Sequence, residues 1–192
     1  MKILIGILIF LAVVVGVIAI IPAFIDPAAS LTRSIEINKP ANVVYSFAKN
    51  YEYYKEWNAW SLSDKDAFGE LSGTPGEVGS KWTWDGDTVG KGSLTIEELV
   101  PNKSIKSRLD FYAPFTGVAQ DLWNFEMIDS TTTKVDWTYY GEADSYFMRY
   151  MNLGMEAMLG PSFESGLANM KAMVESMPDS VIVPMAETMM QE

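Results

Sequence analysis

Apolar, uncharged residues run without interruption from Ile3 to Ile25, preceded only by Met1 and Lys2. At about 1.5 Å per helical residue the run covers roughly 34 Å, enough to cross a hydrocarbon core of about 30 Å. The pattern predicts a transmembrane anchor within residues 1–28 that meets the membrane through residues 3–25. A cleaved signal peptide competes with this reading, although a secretory apolar region usually has only about 7–15 residues. The passable small-residue site, Ala28-Ala29-Ser30, also lies beyond Pro22 and Asp26. A buried core helix is the third reading. Lys2 on one flank and Asp26 on the other favour the N-terminus inside, so a single-pass protein with an extracytoplasmic, periplasmic-side body is expected.

Past this segment the period changes to two. Leu31, Arg33, Ile35 and Ile37 alternate with Thr32, Ser34 and Glu36, as in a half-buried strand. Asn38-Lys39-Pro40 stops the strand, with Asn38 placed to cap and Pro40 to open a short helix whose apolar face is Val43, Val44, Phe47 and Ala48. A second short helix is expected around Tyr51 to Trp57. Glycines then crowd the chain from Gly69 to Gly92. Between Gly73 and Lys81 no lysine directly follows the second glycine of a phosphate-binding frame, and Gly90-Lys91-Gly92 lacks the third glycine of a dinucleotide fingerprint. Turns are the expected use of these glycines.

Strand patterns follow in succession. Trp82 and Trp84 share a face, and Leu94, Ile96 and Val100 share another stretch, ended by Pro101-Asn102-Lys103; Ile105, Leu109 and Phe111 oppose Lys106, Arg108 and Asp110. Trp123, Phe125 and Met127 oppose Asn124 and Glu126, and Val135, Trp137 and Tyr139 oppose Lys134, Asp136 and Thr138. Such a series predicts an antiparallel meander with one apolar side. From Tyr146 the spacing becomes helical: Met151, Met155 and Met158 lead to an expected break at Gly160-Pro161, and Phe163, Leu167, Met170, Val174 and Met177 resume the stripe. Asp144 is the expected cap of the first piece and Pro161 the opening of the second. The folded body is thus expected over residues 29–177, with 178–192 a flexible C-terminal tail.

Composition narrows the chemistry. Among 192 residues there is neither histidine nor cysteine, which excludes imidazole bases, Cys or His nucleophile pairs, His/Cys metal cages and disulfides. No cofactor is implied. A formal net charge of −11 without basic clusters argues against a nucleic-acid partner. Asp64, Asp66, Glu70, Asp85 and Asp87 lack calcium-loop spacing, so no metal is expected. Asn102-Lys103-Ser104 matches a glycan acceptor but reads as a tight turn.

The stretch Ile35-Glu36-Ile37-Asn38-Lys39-Pro40-Ala41-Asn42-Val43-Val44-Tyr45, then Trp57-Asn58-Ala59-Trp60, then Val78-Gly79-Ser80-Lys81-Trp82-Thr83-Trp84, resembles the START-like superfamily, in particular its polyketide cyclase/dehydrase-like branch, the SRPBCC proteins. Val89-Gly90-Lys91-Gly92, Thr133-Lys134-Val135-Asp136-Trp137 and Gly166-Leu167-Ala168-Asn169-Met170-Lys171 extend the likeness over nearly the whole body. The resemblance implies an α+β helix-grip fold: a curved antiparallel sheet wrapped around a long C-terminal helix, here preceded by one transmembrane helix. It also implies a bacterial origin and a hydrophobic cavity for lipids, sterols, polyketides or other apolar small molecules. It brings no universal catalytic residue.

On this reading Trp82, Trp84, Phe111, Trp123, Phe125, Trp137 and Tyr139 of the sheet face Met155, Met158, Leu159, Phe163, Leu167 and Met170 of the helix around a ligand, with Trp57 and Trp60 at the pocket mouth. A solid core made of the same residues is the alternative. Asp121 breaks the apolar face, pointing inward by the count of two from Trp123; it is either a polar anchor or acid in the pocket, paired with Arg33 or Arg149, or a solvated strand end. Three functions stay open. The first is a membrane-anchored, non-catalytic binding protein for a lipophile, and the second a cyclase or dehydratase using Asp121 with Tyr139 or Arg149. The third is a protein-interaction module with a filled core.

Overall fold

The computed structural model describes residues 2–182. Its first element, α1 (Lys2–Ile20), continues into a 3-10 turn at Ile21–Phe24. No residue of α1 is buried, and Ile3 and Phe10 are 81% and 67% exposed. A core helix is thereby excluded, and the length and composition fit a membrane span or a signal sequence. The end of the segment is tied to the body: Arg149 donates to the Pro22 carbonyl at 3.1 Å, Asn152 to the Asp26 and Pro27 carbonyls at 3.0 Å each, and the Tyr150 hydroxyl to the Ile18 carbonyl.

Seven strands form one antiparallel sheet: β1 (Ala28–Ile37), β2 (Phe68–Ser72), β3 (Lys81–Gly86), β4 (Gly90–Val100), β5 (Ser104–Ala113), β6 (Gly117–Met127) and β7 (Thr133–Glu142). Their order is β1-β7-β6-β5-β4-β3-β2, so the chain crosses from one edge to the other after β1 and returns as a meander. The crossing carries α2 (Ala41–Ala48), α3 (Tyr54–Trp57) and α4 (Ala59–Ser63). The long helix α5 (Tyr146–Ser176) packs along β1 and against α3 and α4, gripped by the curved sheet.

Alternation places the core. In β1 the inward Leu31 and Ile37 are buried while Thr32, Ser34 and Glu36 are exposed. In β4 Leu94 and Ile96 alternate inward as a half-buried strand should, but the β4–β5 register slips between Ile96 and Glu98. The extra residue reverses the faces, so Leu99 packs on the core. Met127, expected on the apolar face, is 67% exposed at the end of β6. Asn38 does not cap α2, which has no side-chain cap; the Asn38 N–H instead donates to Glu175 of α5 at 2.7 Å.

The expected break at Pro161 does not occur. Pro161 has no N–H for the carbonyl four residues back, which in a helix interior costs about 3 kcal/mol. Phe163, Leu167, Met170 and Val174, all at most 3% exposed, bury the same helix on the sheet and carry it across the defect. Its cap is Ser145 rather than Asp144, the Ser145 hydroxyl accepting from the Met148 N–H. The expected tail also begins differently. Residues 179–182 are helical, Ile182 is 2% exposed within the main core, and Lys39 bridges to Asp179 at 2.5 Å. The remainder of the expected tail, residues 183–192, lies outside the described residues.

Candidate binding cavity

The space between sheet and α5 is filled at one end and hollow at the other. In the filled part Trp123 stacks on Trp137 with ring centroids 4.7 Å apart, and Trp57 meets both edge-on at 5.8 and 5.6 Å. Trp57, Trp123, Phe125 and Leu167 are all at most 5% exposed and none touches the main cavity. The first of these was expected at the mouth and the others in the lining; all four are core. Met170 belongs with them.

The hollow part is a cavity of about 730 Å³, within the range of about 300–1,000 Å³ typical of small-molecule sites. Trp82, Trp84, Phe111, Trp137 and Tyr139 line it from the sheet and Leu159 and Phe163 from α5. Trp60 lines it from α4. Tyr54 and Asn58 join the wall without having been anticipated, although the Asn58 N-cap was latent in Asn58-Ala59-Trp60: its Oδ1 accepts from the N–H groups of Trp60 and Ser61. Lys55, Glu56, Asp64 and Lys65 add charge to the lining on the α3–α4 side.

Two of the glycines read as turn residues have another role. A Cβ at Gly69 would stand 2.0 Å from the Trp82 ring, and one at Gly92 2.3 Å from that of Trp84. Gly69 lies in β2 opposite Trp84, and Gly92 in β4 opposite Trp84. These strand glycines make room for the two indoles that pave the cavity. Gly73, Gly76, Gly79 and Gly90 do take the left-handed backbone expected of turns. A smaller cavity of about 290 Å³ lies between the β5–β6 connection and α5; Phe111, Tyr139 and Leu159 border both spaces, whereas Met155 and Met158 border only the smaller one.

Asp121 sits in the middle of β6, 6% exposed, and lines the main cavity. The solvated strand end is excluded. Its cross-strand neighbours are Ser107 on β5 and Tyr139 on β7. One carboxylate oxygen accepts from Trp123 Nε1 at 2.7 Å and the other from Trp137 Nε1. Burial pushes the carboxyl up from 3.8 to about 6, with the Trp137 and Trp123 bonds pulling the other way. Burial and then the Asp121 charge raise the hydroxyls of Tyr51 and Tyr54, and Tyr51 is hydrogen-bonded to Ser107 at 2.8 Å.

Neither arginine considered as a partner reaches Asp121. Arg33 pairs with Glu156 and, at 2.7 Å, with Glu164 on α5. Arg149 holds the Pro22 carbonyl and lies 5.0 Å over the Tyr146 ring. Of the suggested acid–base pair, Asp121 and Tyr139 remain together in the cavity wall and Arg149 is removed from it. Among the described residues no cluster of Asp and Glu is arranged to hold a metal.

A curved sheet gripping its last helix around an aromatic cavity defines a helix-grip, ligand-binding class of protein. Residues 28–175 match the family described as polyketide cyclase / dehydrase and lipid transport, and the chain belongs to that family. Among curated proteins none matches the sequence. Solved structures with the same fold include the Zhui aromatase/cyclase from Streptomyces sp. R1128, at a TM-score of 0.58 and 15% identity, covering 77% of this chain and 94% of that one. Protein CV1439 from Chromobacterium violaceum follows at 0.54 and 15%, covering 77% and 98%. The Aha1 dimer from Colwellia psychrerythraea matches at 0.52 and 18%, covering 77% and 97%. At these identities the likeness is one of fold.

Proposed function

We propose that this protein is a membrane-anchored binding protein that holds one hydrophobic small molecule or lipid between its sheet and α5, on the periplasmic side of the membrane. The observation that carries the reading is the aromatic-walled space of about 730 Å³ beside a fully packed core. A concave space of that size walled largely by aromatic rings suits an apolar guest, whose entry would remove the ring surfaces from water. Residues 3–25 are the membrane contact, and Trp60, Trp82, Trp84, Phe111, Trp137, Tyr139, Leu159 and Phe163 the binding surface. The family's description, which couples lipid transport with cyclase chemistry, supports the same class of guest.

Short-range quenching of tryptophan fluorescence by a brominated apolar compound, on the full chain in maltoside micelles, tests this. Saturable quenching is expected in the natural protein, and several-fold weaker quenching in Leu159→Phe, which narrows the space. Absence of a saturable component refutes the reading.

A further inference from the structure

We infer that the guest is a lipophilic cation, an alkylammonium or quaternary ammonium compound whose charged head sits against Asp121. The inference rests on the container reading and specifies its ligand class.

Asp121 is a carboxylate in the cavity wall with two neutral indole donors and no cationic partner among the described residues. A carboxylate offers about four lone-pair positions, so two remain after the indole bonds. A buried charge held only by neutral donors is costly, and an opposite charge beside it offsets that cost. The surrounding wall is suited to supply the rest of the recognition. Trp60, Trp82, Trp84, Trp137, Tyr54 and Tyr139 present aromatic rings to the same space, and ring faces attract cations, most strongly when water is excluded. A carboxylate head at this position would meet Asp121 as a like charge, and the Lys55 and Lys65 that could pair with it are exposed and accompanied in the lining by Glu56 and Asp64. A neutral alcohol would gain one hydrogen bond and leave the charge uncompensated. The formal net charge of −11 acts in the same direction at long range, concentrating cations near the protein.

The test compares three compounds with one alkyl chain and different heads, trimethylammonium, hydroxyl and carboxylate, as competitors of the brominated quencher on the full chain in maltoside micelles. The ammonium compound is expected to bind at least about tenfold more tightly than the alcohol, with the carboxylate weakest. In Asp121→Asn the ammonium advantage should shrink to within about threefold while the alcohol still binds. Should that variant fail to fold, Trp84→Leu serves instead: its ammonium affinity should fall by a larger factor than its alcohol affinity. Equal binding of ammonium and alcohol in the natural protein, or preference for the carboxylate, overturns the cationic guest while leaving the container intact. Binding of none of the three, together with no saturable quenching, overturns the container and the inference with it.

Discussion

Replacing Asp121 by Asn probes the buried carboxyl most sharply, because two opposing effects separate with pH. In the folded chain burial raises this carboxyl from 3.8 to about 6, a rise equivalent to about 3 kcal/mol. The folded state therefore holds the Asp121 proton more tightly than the unfolded state does. This group's contribution to stability is fully present below about pH 4, declines as the pH rises, and is lost above about pH 6. The Asn side chain does not ionise, so it escapes that loss. It keeps one acceptor oxygen for one indole but turns an NH₂ toward the other, and the broken bond costs about 1–3 kcal/mol at all pH values. Asp121→Asn is thus expected to be less stable than the natural protein by about 1–3 kcal/mol near pH 4. Near pH 8 the difference should have moved by about 3 kcal/mol in favour of the variant, leaving the two equal or the variant up to about 2 kcal/mol the more stable. Paired urea unfolding curves at several pH values, followed by far-ultraviolet circular dichroism on the full chain, give the difference directly. The comparison cancels Asp129, Asp136 and Glu175, whose carboxyls are lowered in the fold and stabilise it in the opposite sense. A stability gap that does not change with pH refutes the buried, uncompensated carboxyl.

Further outcomes follow from the packing. Gly92→Ala would put a methyl 2.3 Å from the Trp84 ring and 2.5 Å from the Asp110 carbonyl, so it should destabilise by about 1–3 kcal/mol in thermal or urea unfolding and weaken quencher binding by displacing the indole. Ile182→Ala should cost about 2–5 kcal/mol, since Ile182 is 2% exposed; a loss below about 0.5 kcal/mol would show that residues 179–182 are not docked. Ser145→Ala should cost about 1 kcal/mol, read as faster amide exchange in the first turn of α5.

Much of this architecture could be read from alternation alone, because a strand with one wet face must repeat every second residue. Leu31 to Ile37 and Val135 to Tyr139 behave in this way, and Phe163 to Val174 mark the helix by their own period. Features that depend on three-dimensional fit were hidden. The bulge after Ile96, which turns Leu99 toward the core, leaves no trace in residue type. Strand β2 is exposed at all five positions and so has no apolar alternation to announce it. Helix α5 continues through Pro161 because tertiary burial outweighs a local penalty. The division of the aromatic residues between core and cavity was equally invisible. Trp123 and Trp137 are adjacent in the sheet and chemically identical, yet only Trp137 reaches the open space. Asp121 was visible as a break in the pattern, but its indole partners, two and sixteen residues away, come together only when β6 pairs with β7.

Whether the cavity holds a guest is read by native mass spectrometry of the full chain released from gently solubilised membranes, without added ligand. One lipophilic molecule should be retained per chain, depleted in Leu159→Phe and compatible in size with a space of about 730 Å³. A spectrum showing only the bare polypeptide, in conditions where the fold is intact and added lipophiles also fail to bind, would contradict it.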